Sequence, residues 1–167
     1  MARRAIQSWV RGEPGPTPDV PGGELPSGAF VSLYKGEELR GCLGHVDADQ
    51  PLGQVVAEMA VAAARDDPRF PPVSADELQD LTIEISVLTE PRPARPEGVQ
   101  VGRDGVIVRR GARQGLLLPQ VAAEYDWDRE TLLTMACRKA GLPDLAWREG
   151  RAELLVFQAE VITQASQ

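Results

Sequence analysis

Apolar positions along the chain repeat first at helical and then at strand spacing, and the switches between the two periods mark out short helices and hairpins. Ile6, Trp9 and Val10 stand at i, i+3 and i+4 and predict a short amphipathic helix at the N-terminus. Phe30–Tyr34 and Leu39–Leu43 flank the Gly-containing run Lys35–Glu38, which reads as a hairpin. Leu52, Val55, Val56, Met59, Ala60 and Ala63 share one face of a helix ending near Arg65. Pro51 suits its first position, with Asp49 or Gln50 as the cap. Ser74 and Glu77 have capping-box spacing and open a short helix. Thr82–Leu88 alternates, with Ile83, Ile85 and Val87 on one side and Thr82, Glu84 and Ser86 on the other. Val99–Val101 and Val106–Val108 around an Asp-Gly step read as a second hairpin, with a further strand at Leu116–Leu118. Pro119 opens a helical stretch through Tyr125, and Asp128 caps another carrying Leu132, Leu133, Ala136, Cys137 and Ala140. Gly141 and Pro143 stop that helix, and Leu154–Ile162 reads as a last strand. Hairpins and helices without regular strand–helix–strand alternation predict an α+β fold, a mostly antiparallel sheet with flanking helices.

The composition fits one domain over residues 1–167 and adds two loops to this outline. The chain holds 16 Gly and 14 Pro, enough to predict many turns, and they concentrate in a Pro/Gly-rich loop over 13–27 and a Pro-rich loop over 91–98. Eighteen Lys and Arg against 25 Asp and Glu leave a net charge of −7, which disfavours a general nucleic-acid role. Six arginines between Arg92 and Arg113 run against that acidity. They read either as solvated hairpin charges or as a surface for an anion or acidic partner. Two distant cysteines fit a reducing compartment, where free thiols persist. No signal peptide is visible, and the most apolar stretch, Val55–Ala64, is broken by Glu58 and too short to span a membrane. The expectation is a cytoplasmic protein.

The most pointed chemistry lies in Leu39-Arg-Gly-Cys-Leu-Gly-His45. Gly41 and Gly44 weaken a strand, so they imply a bulge, or the close approach of a ligand or another backbone. Arg40 and Cys42 are two apart and share a face on a regular strand, where the guanidinium favours a thiolate. One reading is a reactive thiol beside an anion-binding arginine; the other is a small cysteine packed in a glycine-thinned strand. His45, three residues from Cys42, falls on the opposite face, and no nucleophile elbow is present, so a triad hydrolase is disfavoured. Asp47 and Asp49, like Asp126 and Asp128, read as caps, and neither a metal nor a cofactor is expected. Arg69 and Phe70 sit between prolines in a rigid loop fit to edge a cleft. Glu84 is either a polar site contact or solvent-exposed, and Gln120 presents its amide at a helix start or caps it. Cys137, on an apolar helix face, reads as core.

The ordered blocks Leu39–Gly44, Asp67-Pro-Arg-Phe-Pro-Pro72, Ile83–Leu88, Val101–Gly105 and Gly115–Val121 together resemble the AMMECR domain family. The resemblance covers nearly the whole chain. It implies an α+β fold with a larger subdomain from both chain ends and a smaller one from the middle. The Arg-Gly-Cys segment would lie near the cleft between them. It also implies the company of a Memo-like protein and a radical-SAM protein, the AmmeMemoRadiSam system. The family carries no established reaction. Joined to the residues above, it yields two expectations. One is Cys-dependent chemistry on a small anionic metabolite or modified group, with Cys42 and Arg40 catalytic and Gly41, Gly44, Arg69, Glu84 and Gln120 binding. The other is a non-enzymatic adaptor for those protein partners.

Overall fold

The computed structural model describes residues 1–166, which form two compact units. The first comprises Met1–Glu90 together with the C-terminal residues from Glu160, and the second Pro91–Ala159. Among the described residues there are four α-helices and two antiparallel four-stranded sheets, the α+β class expected from the patterning.

In the first unit, helix α1 (Ala2–Arg11) ends on Gly12 in the left-handed region, which favours glycine. Strands β1 (Ala29–Lys35) and β2 (Glu38–His45) form the expected hairpin, turned by Gly36 at φ 62°. Helix α2 (Leu52–Arg65) follows, and β3 (Leu81–Leu88) pairs antiparallel with β1. With β8 (Ala159–Gln164) the sheet order is β2-β1-β3-β8, so β2 is an edge strand. Ala29, Val31, Leu33, Leu81 and Ile83 point to one face and are buried with Ile6, Val55, Val56, Ala60 and Ala63 of α1 and α2. That is the period-2 stripe of the sheet closing on the period-3.6 stripes of the helices.

Pro51 stands at the cap position of α2 and not at its first turn, and the helix has no side-chain cap. Neither Asp49 nor Gln50 caps it; Asp49 instead meets His45, whose Nε2 lies 2.6 Å from Oδ1. Ser74 and Glu77 do close a capping box, around a single 3₁₀ turn, Ala75–Glu77.

The second unit contains β4 (Arg92–Pro93), β5 (Gly105–Arg110), β6 (Arg113–Leu117), α3 (Pro119–Glu124), α4 (Arg129–Lys139) and β7 (Glu153–Phe157), with sheet order β4-β7-β5-β6. Its core joins Val106, Val108, Leu117, Leu132, Leu133, Ala136, Cys137, Trp147 and Val156. Asp128 caps α4 as expected, accepting the Thr131 amide at 2.8 Å.

Two expectations fail here for tertiary reasons. The second hairpin is β5–β6, with Val106 opposite Leu117 and Gly111 at the turn, and not a pairing of Val99–Val101 with Val106–Val108. The buried Asp104 carboxylate accepts the Gln100 amide, Arg103 and Gln158, and this folds residues 99–104 into a turn. Burial alone would raise Asp104, but those donors outweigh it and bring the group down to about 2. The second failure is the last strand, which divides at Gln158 into β7 and β8, each in a different sheet. The Pro-rich loop, in turn, contributes the two-residue β4 along β7.

Candidate functional site around Cys42

The register of the first sheet sets the site. Ser32 stands opposite Cys42 on one side and opposite Glu84 on the other, so β2, β1 and β3 carry Cys42, Ser32 and Glu84 in one row. Directly opposed residues share a face, and this face is the one turned away from α1 and α2. The Ser32 hydroxyl donates to the Cys42 sulfur at 3.2 Å. Cys42 is half-buried and Ser32 buried.

A β-bulge sits beside the row. Gly41 opposes Leu33 while Leu39 opposes Tyr34, leaving Arg40 as the extra residue of β2. The two glycines owe their small size to the protein's own packing. A Cβ on Gly41 would stand 2.2 Å from the Ala63 carbonyl oxygen, where α2 presses on the strand, and one on Gly44 would stand 2.4 Å from the Phe30 ring. Of the two expected causes for these glycines, the close approach is by the chain itself.

Beyond β2 the rigid loop Asp67–Pro72 supplies what an edge strand lacks. The backbone N–H of Cys42 donates to Asp67 Oδ2 at 2.9 Å, satisfying an edge amide. Asp67 is only 3% exposed. Arg69 grips it with Nε on Oδ1 at 3.0 Å and Nη2 on Oδ2 at 2.7 Å, while the Arg69 amide also donates to Oδ1. The Arg69 side-chain hydrogen bond holds Asp67 well below the usual carboxylate range against the opposing effect of burial, and the amides of Arg69 and Cys42 add to it. Arg69 is raised in turn, first by that hydrogen bond, against the opposing effect of burial, and further by the charge of Asp67 and by electrostatic coupling to Cys42. Its guanidinium carbon lies 5.5 Å from the centre of the Phe70 ring.

The sequence pairs Arg40 with Cys42; the structure commits Arg40 elsewhere. Its Nε and Nη2 donate to the Glu77 carboxylate at 2.8 and 3.0 Å, and Nη1 donates to the Pro71 carbonyl at 2.9 Å. The Arg40 side chain is 12% exposed against 55% for Arg69. Arg40 therefore ties β2 to the proline loop and the capping-box turn. It also holds Glu77, chiefly by its hydrogen bond, down at about 2. The arginine whose charge reaches the thiol is Arg69.

His45 stands opposite Ala29, on the core face of the sheet, and so points away from the Cys42 row. Its Nε2, Asp47 and Asp49 bring ligand atoms within 4.8 Å of one another at the surface. Gln120 lies half-buried in α3 of the second unit, outside the Cys42 row. Cys137 is 0% exposed in the second core, and burial pushes its thiol up. Ser32 and Asp67 were not singled out by their sequence: Ser32 looks like any polar position of an alternating strand. Asp67 is a helix-stopping residue whose partner lies 25 positions away.

No helix among the described residues is long and apolar enough to cross a membrane. The AMMECR1 family model matches residues 1–162. A protein of Thermofilum pendens is 41% identical, over 99% of this chain and 87% of the relative. One from Methanothermobacter thermautotrophicus is 43% identical, over 96% and 89%. The crystal structure of an uncharacterized protein from Pyrococcus horikoshii superposes with a TM-score of 0.92 at 38% identity, over 98% of this chain and 87% of that one. With the family model over residues 1–162 and relatives 41% and 43% identical over nearly the whole chain, this chain belongs to the AMMECR1 family.

Proposed function

We propose that the first unit carries cysteine-dependent chemistry at Cys42 on a small anionic metabolite or modified group. The observation that supports it is the Ser32 hydroxyl donating to the Cys42 sulfur at 3.2 Å, in a row that continues to Glu84. A hydroxyl donor stabilises sulfur once its proton has gone to water, and the thiolate is the nucleophilic form. Arg69 spends Nε and Nη2 on Asp67, which leaves its Nη1 edge to hold a substrate carboxylate or phosphate beside the sulfur. Asp67 is the positioning residue of that arginine, and Glu84 is a polar contact across the row. Attack forms a bond between Sγ and an electrophilic carbon of the substrate, and the leaving group departs with the displaced electron pair.

The test is alkylation of the folded protein with iodoacetamide at neutral pH, read by peptide mass spectrometry. Cys42 labels first, and Cys137 labels only on unfolding. A Cys42 as inert as Cys137 in the folded protein overturns the reading.

A second reading, an adaptor for Memo-like or radical-SAM partners, is favoured by Arg92, Arg95 and Arg110. All three are exposed in the second unit and make no ion pair among the described residues, whereas Arg103 and Arg109 are taken up by Asp104 and Glu153. Co-elution with the purified partners, lost on Arg92→Glu/Arg110→Glu, is its expected signature; unchanged co-elution counts against it.

A further inference from the structure

A groove on the outside of the first unit, away from the Cys42 row, runs between α1 and α2 beneath the start of the Pro/Gly-rich loop. Its volume is about 520 Å³, within the roughly 300–1,000 Å³ of small-molecule sites. The floor is apolar, built from Trp9 on α1 with Met59 and Ala62 on α2. Trp9 and Met59 are only partly buried, packed against the unit's core with one side open. Its charged residues are Glu13, Glu58 and Arg65.

These charges are unequal in what they have left to offer. Arg65 turns Nε and Nη2 onto the neighbouring Asp66 carboxylate, both at 2.7 Å, so its charge is balanced within its own turn. Glu58 accepts one hydrogen bond, from Gln54 to Oε1 at 2.8 Å, which leaves Oε2 open. The Glu13 carboxylate has no hydrogen bond or ion pair among the described residues. The groove is thus lined by an indole and a thioether together with two carboxylates. An aromatic face and carboxylates attract the same kind of group, a cation.

We propose that this groove binds a small organic cation with an aliphatic body. The ammonium or guanidinium head sits between Glu13 and Glu58, and the hydrocarbon lies on Trp9 and Met59. An inorganic cation gains nothing from the apolar floor, and an anion meets the two carboxylates. The site is independent of Cys42, so the loss of one reading leaves the other standing.

The experiment titrates the full chain with hexylammonium and with hexanol, followed by proton–nitrogen correlation spectra. The Trp9 indole N–H is the reporter, alongside the backbone amides of residues 57–62. Hexylammonium should shift these signals saturably and bind about tenfold or more tighter than hexanol. Glu13→Gln/Glu58→Gln should weaken hexylammonium by a similar factor and leave hexanol unchanged, with the dispersed spectrum showing that the variant is folded. Equal affinity for the two probes overturns the proposal. So does a variant that binds hexylammonium like the wild type, or a set of shifts that avoids Trp9.

Discussion

The Asp67 carboxylate accepts the backbone amide of Cys42 at 2.9 Å across 25 residues of sequence, tying the edge strand that carries the thiol to the loop that carries Arg69. One buried acid thereby holds both the strand and the arginine. Its removal should be felt in both stability and reactivity.

Asp67→Ala leaves the Cys42 amide without its acceptor and is expected to cost about 1–3 kcal/mol. Arg69 is half exposed, so water takes up most of its lost ion pair. Asp67→Asn retains an acceptor and should cost less. Urea unfolding checks this: the midpoint falls in the order wild type, Asn, Ala at constant slope. An Ala variant as stable as the wild type would remove Asp67 from its positioning role.

Stability should fall on acidification. Glu77 and Asp104 lie near 2 in the folded chain against ordinary values of 4.5 and 3.8, and Asp67 is lowered as well. A depressed folded value means that the unfolded chain binds more protons in this window, so stability rises with pH there. The contribution is complete above about pH 5 and is lost as pH falls from about 4.5 towards 2. Denaturation midpoints across pH 2–7 read the slope. Glu77→Gln and Asp104→Asn should each flatten it, and an unchanged slope would dissociate these pairs from acid unfolding.

Ser32→Ala removes the hydroxyl that donates to the Cys42 sulfur. The expected outcome is slower Cys42 alkylation at neutral pH, by about threefold to tenfold, the worth of one modest hydrogen bond. Arg69→Gln should slow labelling by an anionic reagent such as iodoacetate more than by neutral iodoacetamide. Equal slowing with both reagents would deny the arginine an anion-holding role.

Gly41→Ala and Gly44→Ala test whether the glycine-thinned strand is built for packing. The new methyl would meet the Ala63 carbonyl at 2.2 Å in the first case and the Phe30 ring at 2.4 Å in the second. Overpacking of this kind costs about 1–3 kcal/mol. Gly41→Ala should be the worse, because a helix backbone yields less than a ring. Thermal unfolding gives the ranking, and two neutral substitutions would reopen these positions to a ligand.

The amino-acid sequence by itself determined most of the helices and the first sheet's hairpin and central strand. Period-2 alternation at Ile83, Ile85 and Val87 and helical spacing from Leu52 to Ala63 are local signals, and each element follows from the burial of its own stripe. The capping box at Ser74–Glu77 and the cap at Asp128 are equally local, reaching three residues. Order and content of the motif blocks also sufficed to place the chain in its family.

Tertiary structure decided everything that depends on partners distant in the chain. The Val99–Val101 run looks like half of a hairpin, but a buried Asp104 satisfied by Gln100, Arg103 and Gln158 costs less than one left unpaired in a strand, and the run becomes a turn. Arg40 looks like the thiol's neighbour because spacing counts residues along one strand. Its donors went to Glu77 and Pro71, 37 and 31 positions away, and the charge beside Cys42 came from Arg69. Strand register, which no single segment encodes, set Cys42, Ser32 and Glu84 in a row. Periodicity says which face a side chain takes; only the folded sheet says what stands opposite it, because pairing is chosen by the burial of all the strands together.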